Sequence, residues 1–314
     1  MCGIVGVIKS QGEDRIDPAT LRRMNQSLIH RGPDDEGYYF DRGVALAMRR
    51  LKIIDCEGGH QPVSNETEDV WTVFNGEIYN YQSLREELVR KGHRLRSRSD
   101  TEVIVHLYEE EGESFVHKLR GMFALALWDK AARKLLLYRD RMGIKPLHYW
   151  ARNGTLVFAS EIKALLEWPE VGRDLSLAGL SDYLSFLYIP TPHTIYQEIH
   201  KLPAGHFLRA QNGKIDLECY WDFSFQPKLQ LEEEEWIERL RCALEESVRL
   251  HRISDVPLGA FLSGGMDSSS IVALMCRQSS VPVKTYSIGF PDPDYDELPY
   301  ARQVAEHHEA GQCQ

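Results

Sequence analysis

The stretch MFALALWDKAARKLLLYRDRMGIKPLHYWARNGTLVFAS (122–160) decides how the first two thirds of the chain are built. Its apolar runs MFALALWD, KLLLYRD, LHYWA and LVFAS are short and are broken by KAARK, RMGIKP and RNGT. Charged, Gly-, Pro- and Asn-containing breaks of this length mark turns, so the spacing predicts an antiparallel meander. Upstream, GIVGVI (3–8) reads as a strand. DPATLRRMNQSLIHRG (17–32) reads as a helix with Asp17 as N-cap, Pro18 at its first position and Gly32 past its end. The runs GYYF (37–40), VALAMRR (44–50) and VWTVFNGEI (70–78) are of β type, and helical patterns follow Asn80 and Asp100, the first closed by Gly92.

Downstream, AQNGK (210–214) predicts a hairpin, and the acidic run EEEEW (232–236) opens a long amphipathic helix whose dipole favours negative charge at that end. The pattern then changes to strand (256–262), Gly-rich loop, helix (267–278), strand (283–289) and helix (296–308), the alternation of a parallel α/β domain. The domain boundary is expected between 222 and 232, giving domains 1–222 and 223–314.

Composition narrows the function classes. The 314 residues carry a formal net charge of −10, with the basic residues scattered, which disfavours nucleic acid or an anionic membrane as main partner. No apolar run approaches the roughly 18 residues of a membrane span, and the opening run stops at Lys9 without a leader's features, so a cytoplasmic protein is expected. Six cysteines (Cys2, Cys56, Cys219, Cys242, Cys276, Cys313) form no CxxC pair, and reduced thiols are expected.

Cys2 is the first candidate nucleophile. If Met1 is removed, one residue carries both a thiol and a free α-amine. With a reference pKa of about 7.7–8, roughly a fifth of such amines are free base near neutral pH, against under about 0.1% of lysines. The amine can take the thiol proton directly or through one water, without a histidine.

The motifs CGIVG (2–6), HRGPDDEG (30–37), RRLKIID (49–55), FNGEIYNY (74–81), SDTEVI (99–104) and RDRMGIKPLHY (139–149) occur in order, and together they resemble the glutamine amidohydrolase domain of class II amidotransferases. The resemblance covers about the first 215 residues. It implies a four-layer αββα sandwich of the N-terminal-nucleophile type, an α+β fold, with Cys2 as nucleophile. It further implies Arg50 on the α-carboxylate of glutamine, Asp100 on its α-ammonium, and Asn75 and Gly76 as oxyanion donors. Leu51, Ile53, Ile54 and Glu77 match positions that line the family's glutamine pocket, while Arg31 and Asp34 read as internal structural partners. Asn-Gly is also the strongest short hairpin signal, so Asn75-Gly76 is expected at a turn that leaves an N–H unpaired.

In VPLGAFLSGGMDSSSIVALM (256–275) a strand, a Ser-Gly-Gly turn and a helix start can cradle an anion with main-chain N–H groups. The segment resembles the SGGxDS pyrophosphatase loop of adenylating synthetases. That likeness implies ATP contacts at Ser263, Gly264, Gly265, Asp267 and Ser268, with Leu262 and Ile288 beside the adenine and Asp267 available to Mg²⁺.

The run SGGMDSSSIVAL, TYSIGF and YDELPYAR extends the likeness to the glutamine-dependent asparagine synthetase family. It implies an incomplete parallel α/β domain like that of adenine nucleotide α-hydrolases. The implied reaction releases ammonia from glutamine and uses ATP to activate aspartate as a β-aspartyl-adenylate for amidation. Glutamine, aspartate and ATP are the implied small-molecule partners, with a homodimer left open. Family members continue for a few hundred residues where this chain reads EAGQCQ, so the expectation is that glutaminase chemistry persists while most asparagine synthesis is lost. Amidation of another carboxylate acceptor and a non-catalytic remnant are the alternatives.

Overall fold

The computed structural model describes residues 1–10 and 15–313, which divide into two compact units, Met1–Ser224 and Phe225–Gln314. The first unit holds two six-stranded sheets, antiparallel throughout. One runs in the order β10 (Ile199–Lys201), β8 (His148–Arg152), β9 (Thr155–Ala159), β1 (Gly3–Lys9), β3 (Val44–Arg50), β2 (Asp35–Asp41). The other runs β12 (Lys214–Cys219), β11 (His206–Gln211), β7 (Lys134–Arg139), β6 (Gly121–Asp129), β5 (Val70–Ile78), β4 (Val63–Ser64).

Side chains alternate across a strand, and nearly all of β1 and β3 is buried because both of its faces are covered. Ile4, Ile8, Leu46 and Met48 meet Val73, Ala126, Trp128 and Leu137 of the facing sheet. The alternate residues Val5, Val7, Ala45 and Ala47 pack with Leu21, Met24 and Leu28 and with α4 (Ile162–Leu165). Leu21 and Met24 lie on α1 (Pro18–Gln26). On the outer side of the second sheet α3 (Glu102–Glu111) lies against β4 and β5, with α2 (Tyr81–Lys91) beside it. The layers are therefore helix, sheet, sheet, helix. A 3₁₀ segment (Gly112–Lys118) follows α3, and α5 (Leu177–Phe186) precedes β10.

Two local expectations are corrected. The stretch 122–160 is not one meander: the hairpin β6–β7 belongs to one sheet and the hairpin β8–β9 to the other. Alternation announces strands but does not say which sheet they join. The intervening connector is a corner held by side chains, so it needs no opposing strand. The Asp140 carboxylate accepts N–H groups from Phe123, Met142, Ile144 and Lys145, and the Arg139 guanidinium donates to the carbonyls of Gly143, Lys145 and Leu202. The first helix begins at Pro18 under an Asp17 cap as expected but ends at Gln26. Beyond it Leu28, Ile29, Arg31 and Gly32 donate to carbonyls three residues back, continuing the chain as tight turns. Gly32 closes this run because a Cβ there would lie 2.4 Å from the Arg49 carbonyl carbon.

The second unit contains α6 (Glu233–His251), β13 (Gly259–Phe261), α7 (Met266–Arg277), β14 (Lys284–Tyr286), α8 (Leu298–His307) and β15 (Gly311–Cys313), with a parallel sheet ordered β13-β14-β15. EAGQCQ thus supplies a third short strand. Glu232 caps α6 in a reciprocal box with Glu235, which accounts for the acidic run. Its core is small, with Val248, Leu274, Met275 and Val283 in one cluster and Leu262, Val272, Ala301 and Ala305 in another. Among the described residues no helix is long and apolar enough to cross a membrane. Cys2, Cys56, Cys219, Cys242 and Cys276 are free thiols, and the side chain of Cys313 lies outside the described set.

Candidate active site

Strand β1 delivers the chain's first residues to a cavity of about 120 Å³ between the sheets. The cavity is lined by all nine residues expected around glutamine: Cys2, Arg50, Leu51, Ile53, Ile54, Asn75, Gly76, Glu77 and Asp100. The Cys2 sulfur lies 3.4 Å from the Leu51 N–H and 3.7 Å from its carbonyl oxygen. Burial pushes the thiol up from its ordinary pKa, opposed by the Leu51 N–H, the chain's amino group and Arg50. Met1 precedes Cys2, so the α-amine is Met1's, and burial lowers its pKa. Arg31 donates to the Cys2 carbonyl at 2.9 Å and pairs with Glu161 at 2.8 Å, fixing the backbone under the sulfur. Asp34 accepts the Lys52 N–H at 3.0 Å.

Two opposite charges face this space. Arg50, at the end of β3, donates from Nη2 to the carbonyls of Ile54 and Asp55 at 2.9 and 2.8 Å, and forms no ion pair among the described residues. Asp100 is buried and accepts the Ile78 N–H at 2.9 Å, with Ser99 Oγ at 3.4 Å. Burial pushes its carboxyl up to about 7, reinforced by the nearby Glu77 and opposed by the Ile78 and Ser99 hydrogen bonds. A buried carboxylate without a cationic partner is costly, and a ligand ammonium would remove that cost.

Asn75-Gly76 is not at a turn. The pair sits inside β5, opposite Ala124 and Phe123 of β6, because nine residues of strand register outweigh a two-residue turn preference. Among the described residues neither Oδ1 nor Nδ2 of Asn75, 1% exposed, has a hydrogen-bond partner. Phe74 N–H donates to Gln61 Oε1 at 2.7 Å and Ile78 N–H to Asp100. Antiparallel alternation puts the Gly76 N–H on that same edge, between two donors that are already taken. A Cβ on Gly76 would lie 2.1 Å from the Met122 carbonyl oxygen, so only glycine fits.

Gln61, Phe74, Ser99, Thr101, Met122, Lys145 and Met1 complete the lining and were not singled out in the sequence. Lys145 is buried with its ammonium 3.1 Å from the Met1 sulfur, and burial lowers its pKa, with Glu77 acting in the opposite sense. Its position in RDRMGIKP was the available signal, but only the corner between the sheets turns it inward.

In the second unit Ser263, Gly264 and Gly265 border an open cleft of about 890 Å³ whose other wall is residues 290–297 and Tyr300. Gly264 has φ +84°, and a Cβ on it would lie 2.5 Å from that of Tyr300. Gly265 caps α7, and Asp267 lies exposed in that helix's first turn. Ser268 Oγ accepts the Ser263 N–H at 3.3 Å and lies 3.0 Å from Ser263 Oγ. Leu262 offers little to a ligand. Its side chain is in the core, its N–H goes to Tyr286 and its carbonyl accepts from Ser287. Ile288 is 69% exposed, and neither it nor Asp267, Ser268 nor Leu262 lines the cleft.

Two facing antiparallel sheets with helices outside, and an N-terminal strand that carries a cysteine into the cleft, define the N-terminal-nucleophile class of glutamine amidotransferases. The glutamine amidotransferase domain model matches residues 1–221, and the chain belongs to that family; the asparagine synthase model matches residues 239–313. Asparagine synthetase [glutamine-hydrolyzing] 1 of Bacillus subtilis is 41% identical over 308 residues, covering 97% of this chain and 48% of that protein. A putative asparagine synthetase [glutamine-hydrolyzing] 2 of Methanocaldococcus jannaschii is 33% identical over 330 residues, covering 98% of this chain and 63% of the relative. The chain thus spans about half to under two thirds of the length of these curated relatives. A solved glutamine phosphoribosylpyrophosphate amidotransferase from B. subtilis shares the fold at 16% identity, with a TM-score of 0.52 over 99% of this chain and 65% of that one.

Proposed function

We propose that the chain releases ammonia from glutamine through Cys2 and takes part in the ATP-dependent amidation of aspartate to asparagine. The carrying observation is one small cavity that gathers a sulfur, a buried carboxylate and, among the described residues, a guanidinium without an ion pair and an amide without a hydrogen bond. Arg50 grips the α-carboxylate and Asp100 the α-ammonium, so the side-chain amide of glutamine is presented to Cys2. Removal of Met1 leaves the α-amine on Cys2. That amine takes the thiol proton, sulfur attacks the amide carbon, and Asn75 Nδ2 with the Gly76 N–H hold the oxygen that turns negative. The protonated amine then returns its proton to the departing ammonia. Water cleaves the thioester to glutamate and restores the thiol.

For the synthetase step, the Ser263-Gly264-Gly265 turn offers main-chain N–H groups and a helix start to the phosphates of ATP. The carboxylates of Asp292, Asp294, Asp296 and Glu297 on the other wall of the cleft would supply hard oxygens that suit Mg²⁺, with the exposed Asp267, outside that lining, as a further one. ATP would activate the acceptor carboxyl. The domain division proposed is 1–222 for glutamine hydrolysis and 223–314 for the start of the synthetase domain.

The test is ammonia release from glutamine by the full chain, with intact mass reporting Met1. Cys2→Ala is expected to lower turnover by about 10⁴-fold or more, as loss of a nucleophile does elsewhere. Equal turnover in that variant, or an active chain that retains Met1, overturns the assignment.

A further inference from the structure

Away from the cavity, Glu66, His93, His106 and Glu109 converge so that one ligand atom from each lies within 4.8 Å of all the others. Glu66 comes from the turn between β4 and β5, His93 follows α2, and His106 and Glu109 lie three apart on α3. His106 Nδ1 is 3.3 Å from Glu66 Oε2 and 3.2 Å from Glu109 Oε2, and His93 Nδ1 is 3.7 Å from Glu109 Oε2. Ligands about 2.05 Å from a tetrahedral ion stand about 3.3 Å apart. Of the six separations among four ligand atoms, two of these three are at that value and the third is near it. The remaining separations lie within 4.8 Å, and the partly exposed side chains of Glu66 and Glu109 can rotate.

Three of the four ligand groups are held from behind by hydrogen bonds. The other ring nitrogen of His93 is 3.1 Å from Glu110 Oε1, whereas that of His106, 3.8 Å from Glu102 Oε1, makes no hydrogen bond among the described residues. Glu109 Oε1 accepts from Asn65 Nδ2 at 2.8 Å and Glu66 Oε1 from the Arg94 N–H at 2.8 Å, leaving each second oxygen turned to the centre. Such outer partners fix tautomer and ring orientation in metal sites.

We infer that Glu66, His93, His106 and Glu109 form a tetrahedral site for a divalent first-row cation, Zn²⁺ by ligand type. Two imidazoles disfavour Mg²⁺ and Ca²⁺, which select oxygen shells. The ion braces α3 against the β4–β5 turn and the segment after α2. The competing occupant is a proton. Burial opposes a charged His106 ring, but Glu102, Glu66 and Glu109 outweigh it and raise its pKa.

The full chain, stripped with chelator, is titrated with Co²⁺ and then Zn²⁺ at pH 7.5. The expected result is one Co²⁺ per chain, with the intense visible bands of tetrahedral cobalt, displaced by one Zn²⁺. His93→Gln and Glu109→Gln lower affinity by about tenfold or more, and Cys2→Ala leaves it unchanged. Zn²⁺ also raises the unfolding midpoint of the parent chain but not of His93→Gln. His93 sits outside any helix, so this variant remains informative if a change at buried His106 prevents folding. A proton-held cluster with no saturable metal binding, binding unchanged by His93→Gln, or binding lost in Cys2→Ala overturns the site.

Discussion

The two candidate sites of this chain solve opposite problems. Around Cys2 the polar groups are buried and short of partners: among the described residues both amide atoms of Asn75 lack a hydrogen bond, and the Arg50 guanidinium and Asp100 carboxylate bond to main-chain groups and to Ser99 but to no opposite charge. Around Ser263 the polar groups are half-buried and already bonded to one another, Ser263 with Ser268 and Leu262 with Ser287 and Tyr286. The first is a small cavity enclosed by strands whose neighbours are fully buried, and the second a wide cleft on a three-stranded sheet where Phe261 is 80% exposed. Preorganisation, with unsatisfied groups fixed where charge will appear, is what low-dielectric catalysis requires. The Cys2 cavity has it in this chain, and the open Ser263 cleft lacks comparable enclosure.

The largest effect that could break this contrast is at Asn75. Unpartnered buried amide atoms cost about 1–3 kcal/mol each, so Asn75→Ala should not destabilise the fold and is expected to hold or raise its melting temperature. Ammonia release should nonetheless fall about 10²–10³-fold in kcat, with KM for glutamine little changed, because the donor acts on the oxyanion and not on the ground state. A loss confined to KM would make Asn75 a substrate-positioning group instead.

Asp100 sharpens the comparison further, since stability and binding should move in opposite directions. Its folded pKa, about 7, lies above the value of an unfolded aspartate. A group raised in this way favours the folded state fully at pH below the unfolded value and loses that contribution as pH rises through the folded one. At pH 8 the empty protein therefore carries an ionised buried carboxylate. Asp100→Asn, which keeps an acceptor for the Ile78 N–H, should stabilise the empty chain there by no more than roughly 4 kcal/mol, and hardly at all near pH 4. The same change should raise KM for glutamine about 10- to 100-fold by removing the ammonium's counter-charge. In the unmodified protein kcat/KM should decline as pH falls below about 7. Melting curves at pH 4 and 8 that differ by the same amount between parent and variant would sink this account.

The ordered motifs of the first domain, through their resemblance to the amidotransferase family, made much of the first site legible. Only the thiol and amine of Cys2 stand on residue chemistry alone; Arg50, Asp100, Asn75 and Gly76 take their expected places from the resemblance, and all nine expected glutamine-pocket residues line the cavity. What was not legible depends on pairing between distant strands. Asn75-Gly76 looks like a turn until β6 lies beside it, and the stretch 122–160 reads as one sheet until the Asp140 corner diverts it. Lys145 enters the cavity only through that corner. His93, in the segment after α2, and His106, on α3, are thirteen residues apart, so their approach to 5.0 Å between ring centroids carries no periodic signal.

The smallest expected effect tests whether the two regions are independent in function. Gly264 has a positive φ and a Cβ on it would meet both Tyr300 and the Ala301 nitrogen, at 2.5 and 2.6 Å. Gly264→Ala must therefore push α8 away or unwind the turn, at about 1–3 kcal/mol within the second unit. The four-residue cluster of Leu262, Val272, Ala301 and Ala305 cannot absorb such a shift, because Ala301 belongs to it. Hydrogen exchange in α7 and α8 should rise, while strands β1, β3, β5 and β6 keep their protection and ammonia release stays within about twofold. If exchange instead rises in β5 or glutamine turnover collapses with it, the two units share one cooperative fold and the Cys2 cavity is not self-sufficient.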